Sequence, residues 1–172
     1  MPSEKTDSGG ERIRLLLATC FGLGYSPILP GTCGALIGLA SYLVTAWLVP
    51  TDPWLTIILG AMLLVWIFIT VWLGGWAEKY FQEKDSGIFV SDEVVGFLMT
   101  VTLFHLAGRP GLTALWAFPL TRIIDILKFP PARRLEELPK GWGVVADDLL
   151  SSLYTVALLY GLLYTFPQWF PG

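Results

Sequence analysis

Charged side chains are scarce in this chain of 172 residues. Asp, Glu, Lys and Arg make up 15% of the sequence, whereas a soluble domain typically carries about 25%. Hydrophobic residues make up 54%, and the mean hydropathy is +0.62. A surface with so few charges is poorly suited to water, so the composition predicts an integral membrane protein with the lipid bilayer as its main surroundings.

Histidine and cysteine are also rare. His105 is the one histidine, which excludes the lipid phosphatase mechanism that requires two. Cys20 and Cys33 lack partners at metal-ligand spacing and lack a basic residue just after them. A cysteine nucleophile of lowered pKa is therefore not indicated. The net charge of −3, without a basic patch, excludes nucleic acid as a partner.

Long uncharged stretches predict helices that cross the bilayer, each of which needs about 20 apolar residues. Residues 33–49, 54–76 and 149–166 form three such stretches. Residues 94–107 and 111–121 are shorter and predict a helical hairpin around "GRPG". The fold class that follows is an all-α polytopic membrane protein with about four to five spans.

The N-terminal part of the chain is less regular. Residues 15–32 carry no charge, but glycines and prolines interrupt "FGLGYSPILPGT". Such a sequence predicts a broken or re-entrant segment, which at membrane depth must be buried in protein or line a cavity. We interpret residues 1–14 as a polar tail and residues 15–172 as a single integral-membrane domain.

The basic residues predict which way the protein faces. In this arrangement of spans, ten of the eleven Lys and Arg residues fall on one side of the membrane, and Arg109 falls on the other. Cytoplasmic loops carry the excess of basic residues. We therefore expect the loops 77–93 and 122–148 to face the cytoplasm.

Two pairs of acids stand directly against apolar runs, Asp92 with Glu93 and Asp147 with Asp148. Acids in the first turn of a helix complement its dipole, and Ser91 is a candidate N-cap. That explanation needs one acid per helix, whereas two neighbouring acids repel each other beside lipid. We favour a cation site at the membrane boundary. Carboxylates without Cys or His partners favour a hard ion such as Mg²⁺.

A third stretch, "TRIIDILKFPPARR", adds basic residues to the pattern. Arg122, Asp125 and Lys128 are three residues apart and share one face of a helix. Arg122 and Asp125 would pair with each other in the simpler interpretation. In the functional interpretation Asp125 binds a metal, while Arg122, Lys128 and Arg133 bind a phosphate group.

Four blocks of sequence together resemble the phosphatidylglycerophosphatase A family. They are "GLGYSPILPGTCGALIG", "DSGIFVSDEVVGFLMT", "RIIDILKFPPAR" and "GWGVVADDLL", in the family's order over residues 22–152. The resemblance implies a Mg²⁺-dependent phosphatase of the bacterial inner (cytoplasmic) membrane whose active site faces the cytoplasm. Its substrate would be phosphatidylglycerophosphate, which loses its terminal phosphate to give phosphatidylglycerol.

The resemblance also implies roles for particular residues. The implied metal ligands are Asp85, Asp92, Glu93, Asp125, Asp147 and Asp148. The implied catalytic carboxylates are Asp92, Glu93, Asp125 and Asp148. The implied phosphate-binding residues are Gly31, Thr32, Arg122, Lys128 and Arg133. The family's glycines and its proline fall on Gly141, Gly143 and Pro30. The chain departs from many relatives at Phe129, where they have proline, and near Ser152, where they tend to have glycine.

Two other functions use similar residues. A membrane ion carrier would place its acids near the bilayer midplane, often in repeated halves, whereas here they lie at the predicted boundary and no repeat is visible. Another lipid-headgroup phosphotransferase would use clustered aspartates, but the usual Asp-Gly and Ala-Arg pattern is missing. The sequence leaves open which carboxylate is the base and whether the protein is a homo-oligomer.

Overall fold

The structure, a computed structural model, describes residues 9–83, 86–127, 129–135, 138 and 141–171. Strands are missing from these residues, which are largely helical, so the all-α prediction is confirmed for them. The helices are α1 (Gly9–Ala18), α2 (Pro30–Leu48), α3 (Trp54–Phe81), α4 (Ser91–Leu103), α5 (Pro110–Leu127), α6 (Ala132–Leu135) and α7 (Gly141–Thr165), with 3-10 turns at Leu23–Tyr25 and Pro167–Trp169.

Among the described residues, α2, α3 and α7 are long and apolar enough to cross a membrane. They coincide with the three long stretches predicted from the sequence, except that α2 and α7 end one residue earlier, and each of the three extends further at one end. α3 continues past residue 76 to Phe81, and α7 begins at Gly141, eight residues before the predicted start of its span. The count of four to five spans stays a prediction.

α4 is the central helix of the bundle and packs against α2, α3, α5 and α7. Its side chains Val94, Val95, Phe97, Leu98 and Val101 are fully buried. A helix that is apolar on all sides belongs in the interior. Four neighbours therefore surround the helix that carries Asp92 and Glu93.

Two of the neighbours of α4 run parallel to it and two run antiparallel. α2 runs parallel to it, since Gly34 lies against Val90 and Gly38 lies against Phe97. The missing side chains allow this close approach, because a β-carbon on Gly34 would lie 2.7 Å from Cβ of Val90. α7 is also parallel, as Tyr160 near its C-terminal end donates a hydrogen bond to the carbonyl of Leu103.

α3 and α5 run antiparallel to α4. Thr121 near the end of α5 lies 3.2 Å from Thr100 (Oγ1 to Oγ1), and Thr113 near its start accepts a hydrogen bond from the backbone of Leu106. Gly141 at the start of α7 lies against Thr70 in the second half of α3. The N-terminal parts of α2, α4 and α7 therefore meet the C-terminal parts of α3 and α5 at one end of the bundle.

The outer surface of the bundle is unusually apolar for a soluble protein. Large apolar side chains are exposed along α3, among them Leu64, Phe68 and Trp72, whereas hydroxyls such as Thr70 and Thr155 are fully buried. An exposed apolar surface of this extent is suited to lipid. The outer surface is thus compatible with the predicted membrane location.

The interruption predicted near the N-terminus lies between α1 and α2. The backbone there is left-handed at four positions, with φ of 47° at Cys20, 59° at Phe21, 92° at Gly22 and 51° at Leu29. α1 includes residues 9–14, which the sequence had assigned to the polar tail. The guanidinium carbon of Arg14 lies 5.2 Å from the ring centre of Trp72, so α1 is held against α3.

Candidate active site

A cavity of about 300 Å³ lies at the end of the bundle that is formed by the N-terminal parts of α2, α4 and α7 and the C-terminal part of α5. It is lined from α2 by Pro30, Gly31 and Thr32, from α4 by Asp92 and Glu93, from α5 by Arg122, Asp125 and Ile126, and from α7 by Val144, Asp147 and Asp148. Leu29 and the α3–α4 connection, with Ser86, Gly87, Phe89 and Val90, complete the lining. The fold thus brings eight of the predicted site residues to one cavity.

Three predicted site residues are not placed by the structure. Asp85 and Lys128 lie outside the described residues. Arg133 belongs to the short helix α6, but its side chain also lies outside the described part of the chain. Their roles stay predictions.

The carboxylates of Glu93, Asp125 and Asp148 form a compact cluster. One oxygen from each lies within 4.8 Å of the others. Asp125 and Asp148 are 8% and 7% exposed, and Oδ1 of Asp125 and Oδ2 of Asp148 have no hydrogen-bond partner in the described structure. Buried carboxylate oxygens without partners are costly unless a cation neutralises them. An all-oxygen donor set of this kind fits a hard divalent cation.

Asp92 and Asp147 line the same cavity and are buried, but they lie outside this compact cluster. Oδ1 of Asp92 accepts a hydrogen bond of 3.0 Å from the backbone N–H of Glu93. The structure therefore separates the five acids that line the cavity into three whose oxygens converge and two, Asp92 and Asp147, that stand apart from them. The sequence did not distinguish these groups, because adjacent acids look equivalent in a linear pattern.

The position of the acids in their helices corrects one interpretation. Asp147 and Asp148 do not open a helix, because α7 begins at Gly141 and they lie about two turns inside it. The helix dipole acts within the first turn and cannot account for them. Ser91 is not an N-cap either, since it is the first residue of α4 and its hydroxyl makes no hydrogen bond in the described structure.

Arg122 supplies positive charge to this wall of the cavity. Its Nη1 and Nη2 donate to the two carboxylate oxygens of Glu93, the second at 3.0 Å. Nη1 also lies 3.3 Å from Oδ2 of Asp125, and Nε donates weakly to the hydroxyl of Thr32 at 3.4 Å. The pairing of Arg122 with Asp125 is thus present, but it is one part of a larger network.

Gly31 is required by the close approach of α2 to this network. A β-carbon at Gly31 would collide with Oε1 of Glu93 and lie 3.0 Å from Nη2 of Arg122. Gly31 and Thr32 stand in the first turn of α2, whose N-terminus has no side-chain cap. Backbone N–H groups at such an end lack helical partners and attract anions.

Gly141 has a different role from Gly31. A β-carbon there would lie 2.7 Å from Cα of Val71 and 2.8 Å from the carbonyl oxygen of Thr70. Its small size therefore lets α7 pack on the backbone of α3.

Ser152 links α7 to α4 one turn after Asp148 and so fixes the position of Asp148 along α4. Its hydroxyl lies 2.7 Å from the carbonyl oxygen of Gly96 and 2.7 Å from that of Asp148. Gly96 leaves room for this contact, since a β-carbon there would lie 3.6 Å from Cβ of Asp148. Ser152 thus joins the two helices that carry Glu93 and Asp148.

Cys20 lies near the acids but is not a nucleophile. Burial, together with the nearby charges of Asp92 and Glu93, raises the pKa of its thiol to about 12. A reactive cysteine needs the opposite, a pKa lowered by positive charge. The sulfur instead lies 3.4 Å from the carbonyl oxygen of Val90.

Sequence reasoning missed the uncharged lining residues Leu29, Ser86, Gly87, Ile126 and Val144. Ser86 and Gly87 stand in the same block as Asp92, so proximity to a motif was an available signal. Leu29 and Ile126 also stand next to motif residues, Pro30 and Asp125, but an apolar residue in an apolar chain is inconspicuous.

Comparisons with known proteins identify relatives over most of the chain. The family model described as phosphatidylglycerophosphatase A matches residues 16–163. No solved structure matches the chain.

Three curated relatives are each 32% identical to the chain. One is named phosphatidylglycerophosphatase A of Escherichia coli (strain K12), with 88% of this chain and 84% of the relative covered. Another bears the same name in Haemophilus influenzae, with 87% and 88% covered. The third is named putative phosphatidylinositol-3-phosphatase of Bacteroides thetaiotaomicron, with 84% and 90% covered. From the extent of these matches, the chain belongs to the phosphatidylglycerophosphatase A family.

Proposed function

We propose that this protein is a lipid phosphatase that hydrolyses the terminal phosphate monoester of phosphatidylglycerophosphate, releasing phosphatidylglycerol and phosphate. The observation that carries the proposal is the cavity in which three converging carboxylates lie beside Arg122 at the end of an apolar helical bundle. Membership of the family supports the lipid substrate.

In this proposal Glu93, Asp125 and Asp148 hold Mg²⁺, with Asp92 and Asp147 nearby and Asp85 a further ligand candidate outside the described residues. When bound, Mg²⁺ supplies polarisation of the phosphoryl oxygens and a water of lowered pKa. The two partnerless oxygens of Asp125 and Asp148 support this assignment.

The phosphate group would lie against Arg122 and the first turn of α2. Arg122 pairs with Glu93 in this structure, and its two parallel N–H donors would match two phosphoryl oxygens if the carboxylate of Glu93 turned to a metal ion. The N–H groups of Gly31 and Thr32 add dipoles that favour an anion. These groups would stabilise the charge on the phosphoryl oxygens, which is the main requirement of phosphoryl transfer. Lys128 and Arg133 are further candidates for the same task.

A carboxylate outside the compact cluster would accept the proton of the attacking water. Asp92 and Asp147 meet this requirement, because both line the cavity and neither belongs to the group of three. A general base must lie within hydrogen-bond reach of that water. The wall position of these two acids supports such a role for one of them.

The same end of the bundle would face the cytoplasm of a bacterial inner membrane. Lys79 in the last turn of α3 and Arg122 lie at this end, whereas Arg109 precedes α5 at the other. The positive-inside rule supports that orientation. A lipid headgroup then reaches the acids while its acyl chains stay in the bilayer.

A second candidate substrate is phosphatidylinositol 3-phosphate. It is favoured by the printed name of the Bacteroides relative, which matches over 90% of its own length. Both substrates present a phosphate monoester on a lipid headgroup, so the chemistry of the cavity is the same for either.

The test is phosphate release by the purified, detergent-solubilised protein from each of the two lipids, with Mg²⁺ and with EDTA. Asp148→Asn is the active-site variant. Asp52→Asn is the matched control, because Asp52 lies at the opposite end of the bundle beside His105. We expect Mg²⁺-dependent release that Asp148→Asn abolishes and Asp52→Asn leaves unchanged.

Two results would decide against parts of the proposal. Faster release from phosphatidylinositol 3-phosphate would replace the substrate and keep the chemistry. No release from either lipid by folded protein would overturn the phosphatase assignment. Mg²⁺ flux into proteoliposomes would then test the carrier alternative.

A further inference from the structure

At two apolar residues the cavity wall changes from buried and charged to exposed and apolar. Asp125 is buried and lines the cavity, while the next residue, Ile126, also lines it and is 61% exposed on the outside of the bundle. Leu29, directly before the first turn of α2, lines the same cavity and is 60% exposed. One continuous wall therefore joins the charged interior to the outer apolar surface.

The outer surface beside Ile126 is an apolar face that follows α5 along its length. The exposed residues of this face recur every three or four positions: Gly111, Leu115, Pro119, Ile123, Ile126 and Leu127. The opposite face of the same helix is buried and carries Thr121, Arg122 and Asp125. α5 is thus apolar outside and charged inside, which is the arrangement expected of a helix between lipid and a polar site.

Leu29 provides the other side of this apolar edge. Its backbone is left-handed, with φ of 51°, a conformation that branched apolar residues rarely adopt. Ile28 beside it is more exposed still. Strained residues of this kind concentrate at sites of function.

A third exposed lining residue, Gly87, lies beside a polar residue instead of an apolar surface. It stands next to the hydroxyl-bearing Ser86 in the connection between α3 and α4. The cavity thus has a polar edge as well as an apolar one. A molecule that joins a phosphate to apolar chains matches this division, because its phosphate faces Arg122 while its chains leave past Leu29 and Ile126.

We propose that Leu29 and Ile126 form the acyl-chain contact through which the lipid substrate enters sideways from the bilayer. The proposal rests on the proposed phosphatase function and adds to it the residues that bind the apolar part of the substrate. The occupant is the glycerol-proximal part of the acyl chains of a phosphate-bearing lipid. Water and released phosphate use the polar edge at Gly87.

The test compares one substrate with and without its acyl chains. The variants are Leu29→Asn and Ile126→Asn, and the matched control is Ile57→Asn, an exposed isoleucine near the opposite end of α3. Asparagine tolerates the left-handed backbone at position 29, so that change removes the side chain without adding strain. Rates are measured with dioleoyl phosphatidylglycerophosphate in mixed micelles and with its deacylated, water-soluble headgroup in the same detergent.

We expect kcat/KM for the dioleoyl substrate to fall roughly tenfold in both variants. A loss of this size corresponds to the contribution of one buried apolar side chain to binding. The rate on the deacylated headgroup and the rates of the Ile57→Asn control should change by less than about twofold, because a headgroup without acyl chains has no apolar area to bury against Leu29 and Ile126. Equal losses on both substrates, or no loss on either, would overturn the contact. Failure of the wild type on both substrates would instead refute the phosphatase function.

A second measurement does not depend on turnover. A substrate lipid with a photoreactive diazirine near the ester end of one acyl chain is irradiated with wild-type protein, and labelled peptides are identified by mass spectrometry. Labelling near residues 29 and 126 should decrease with excess unlabelled substrate, while labelling near 57 should not. Labelling that is not competed would refute the proposal. If the wild-type protein is a dimer in detergent and both variants are monomers, this face is an interface between copies of the chain, and the proposal is refuted in that case too.

Discussion

Arg122 and Glu93 form a two-armed ion pair on the wall of the cavity, with each terminal nitrogen of the guanidinium donating to a different carboxylate oxygen. Both side chains are largely buried, at 10% and 14% exposed. A paired geometry of this kind depends on the planar fork of arginine, which lysine lacks. The pair therefore predicts a specific requirement for arginine.

Arg122→Lys should lower kcat by about 10²-fold or more, since a missing oriented donor costs this much in comparable sites. The Mg²⁺ concentration for half-maximal activity should not rise, because the lysine ammonium cannot pair with both carboxylate oxygens of Glu93 as the guanidinium does. Arg109→Lys, at the other end of the bundle, is the control. Near-normal activity of Arg122→Lys would show that a point charge suffices.

Gly31→Ala should inactivate the protein, because the added methyl group collides with the carboxylate of Glu93. Overpacking of this kind typically costs about 1–3 kcal/mol. Gly161→Ala is the matched control, since that helical glycine has nothing within 4 Å of its β-carbon position. Phosphate release and thermal unfolding of both variants provide the readout. Equal activity of the two would refute the close approach at Gly31.

Asp148→Asn should stabilise the protein in EDTA while it removes stabilisation by Mg²⁺. The three clustered carboxylates repel one another without a cation, and one neutral amide relieves this by roughly 1–3 kcal/mol. Thermal unfolding with and without Mg²⁺ measures both effects. If the variant were less stable than wild type in EDTA, the cluster would be held by contacts other than a metal ion.

Cys20 should resist alkylation by iodoacetamide in the folded protein at pH 8. With a pKa of about 12, its thiolate fraction there is on the order of 10⁻⁴. Mass spectrometry before and after unfolding in detergent would locate the modification. Cys20→Ala should keep full activity. Rapid alkylation, or loss of activity in Cys20→Ala, would contradict the inert role.

Asp52 at the opposite end should contribute to stability but not to activity. Hydrogen bonds with Thr56 and His105 lower the pKa of Asp52. A carboxylate of lowered pKa stabilises the fold at pH values above its usual pKa of about 4, and the contribution disappears as the pH falls through the lowered value. Its side chain is 44% exposed, so the effect is about 1 kcal/mol or less.

Asp52→Asn should therefore unfold at a slightly lower temperature than wild type at pH 7, and the difference should shrink below about pH 4. A difference independent of pH would show that the carboxylate charge is not responsible. A large loss of phosphate release in this variant would contradict the assignment of the active site to the other end.

Much of the fold followed from local patterns. The uncharged stretches predicted the cores of α2, α3 and α7, since a helix that contacts lipid must be apolar over its whole length. The boundaries were less certain. α7 extends from Gly141 across Asp147 and Asp148, and the close packing of Gly141 on the backbone of α3 is a contact that hydropathy does not indicate.

The sequence by itself determined the membrane class of the protein and the identity of its acids and Arg122, because composition and motif order are properties of the linear chain. The tertiary structure decided which carboxylates converge. Glu93, Asp125 and Asp148 come from three helices, and their distances depend on how closely α4, α5 and α7 pack. It also decided that Leu29 and Ile126 stand where the charged cavity meets the apolar surface. These relationships arise from long-range packing, which the linear pattern does not contain.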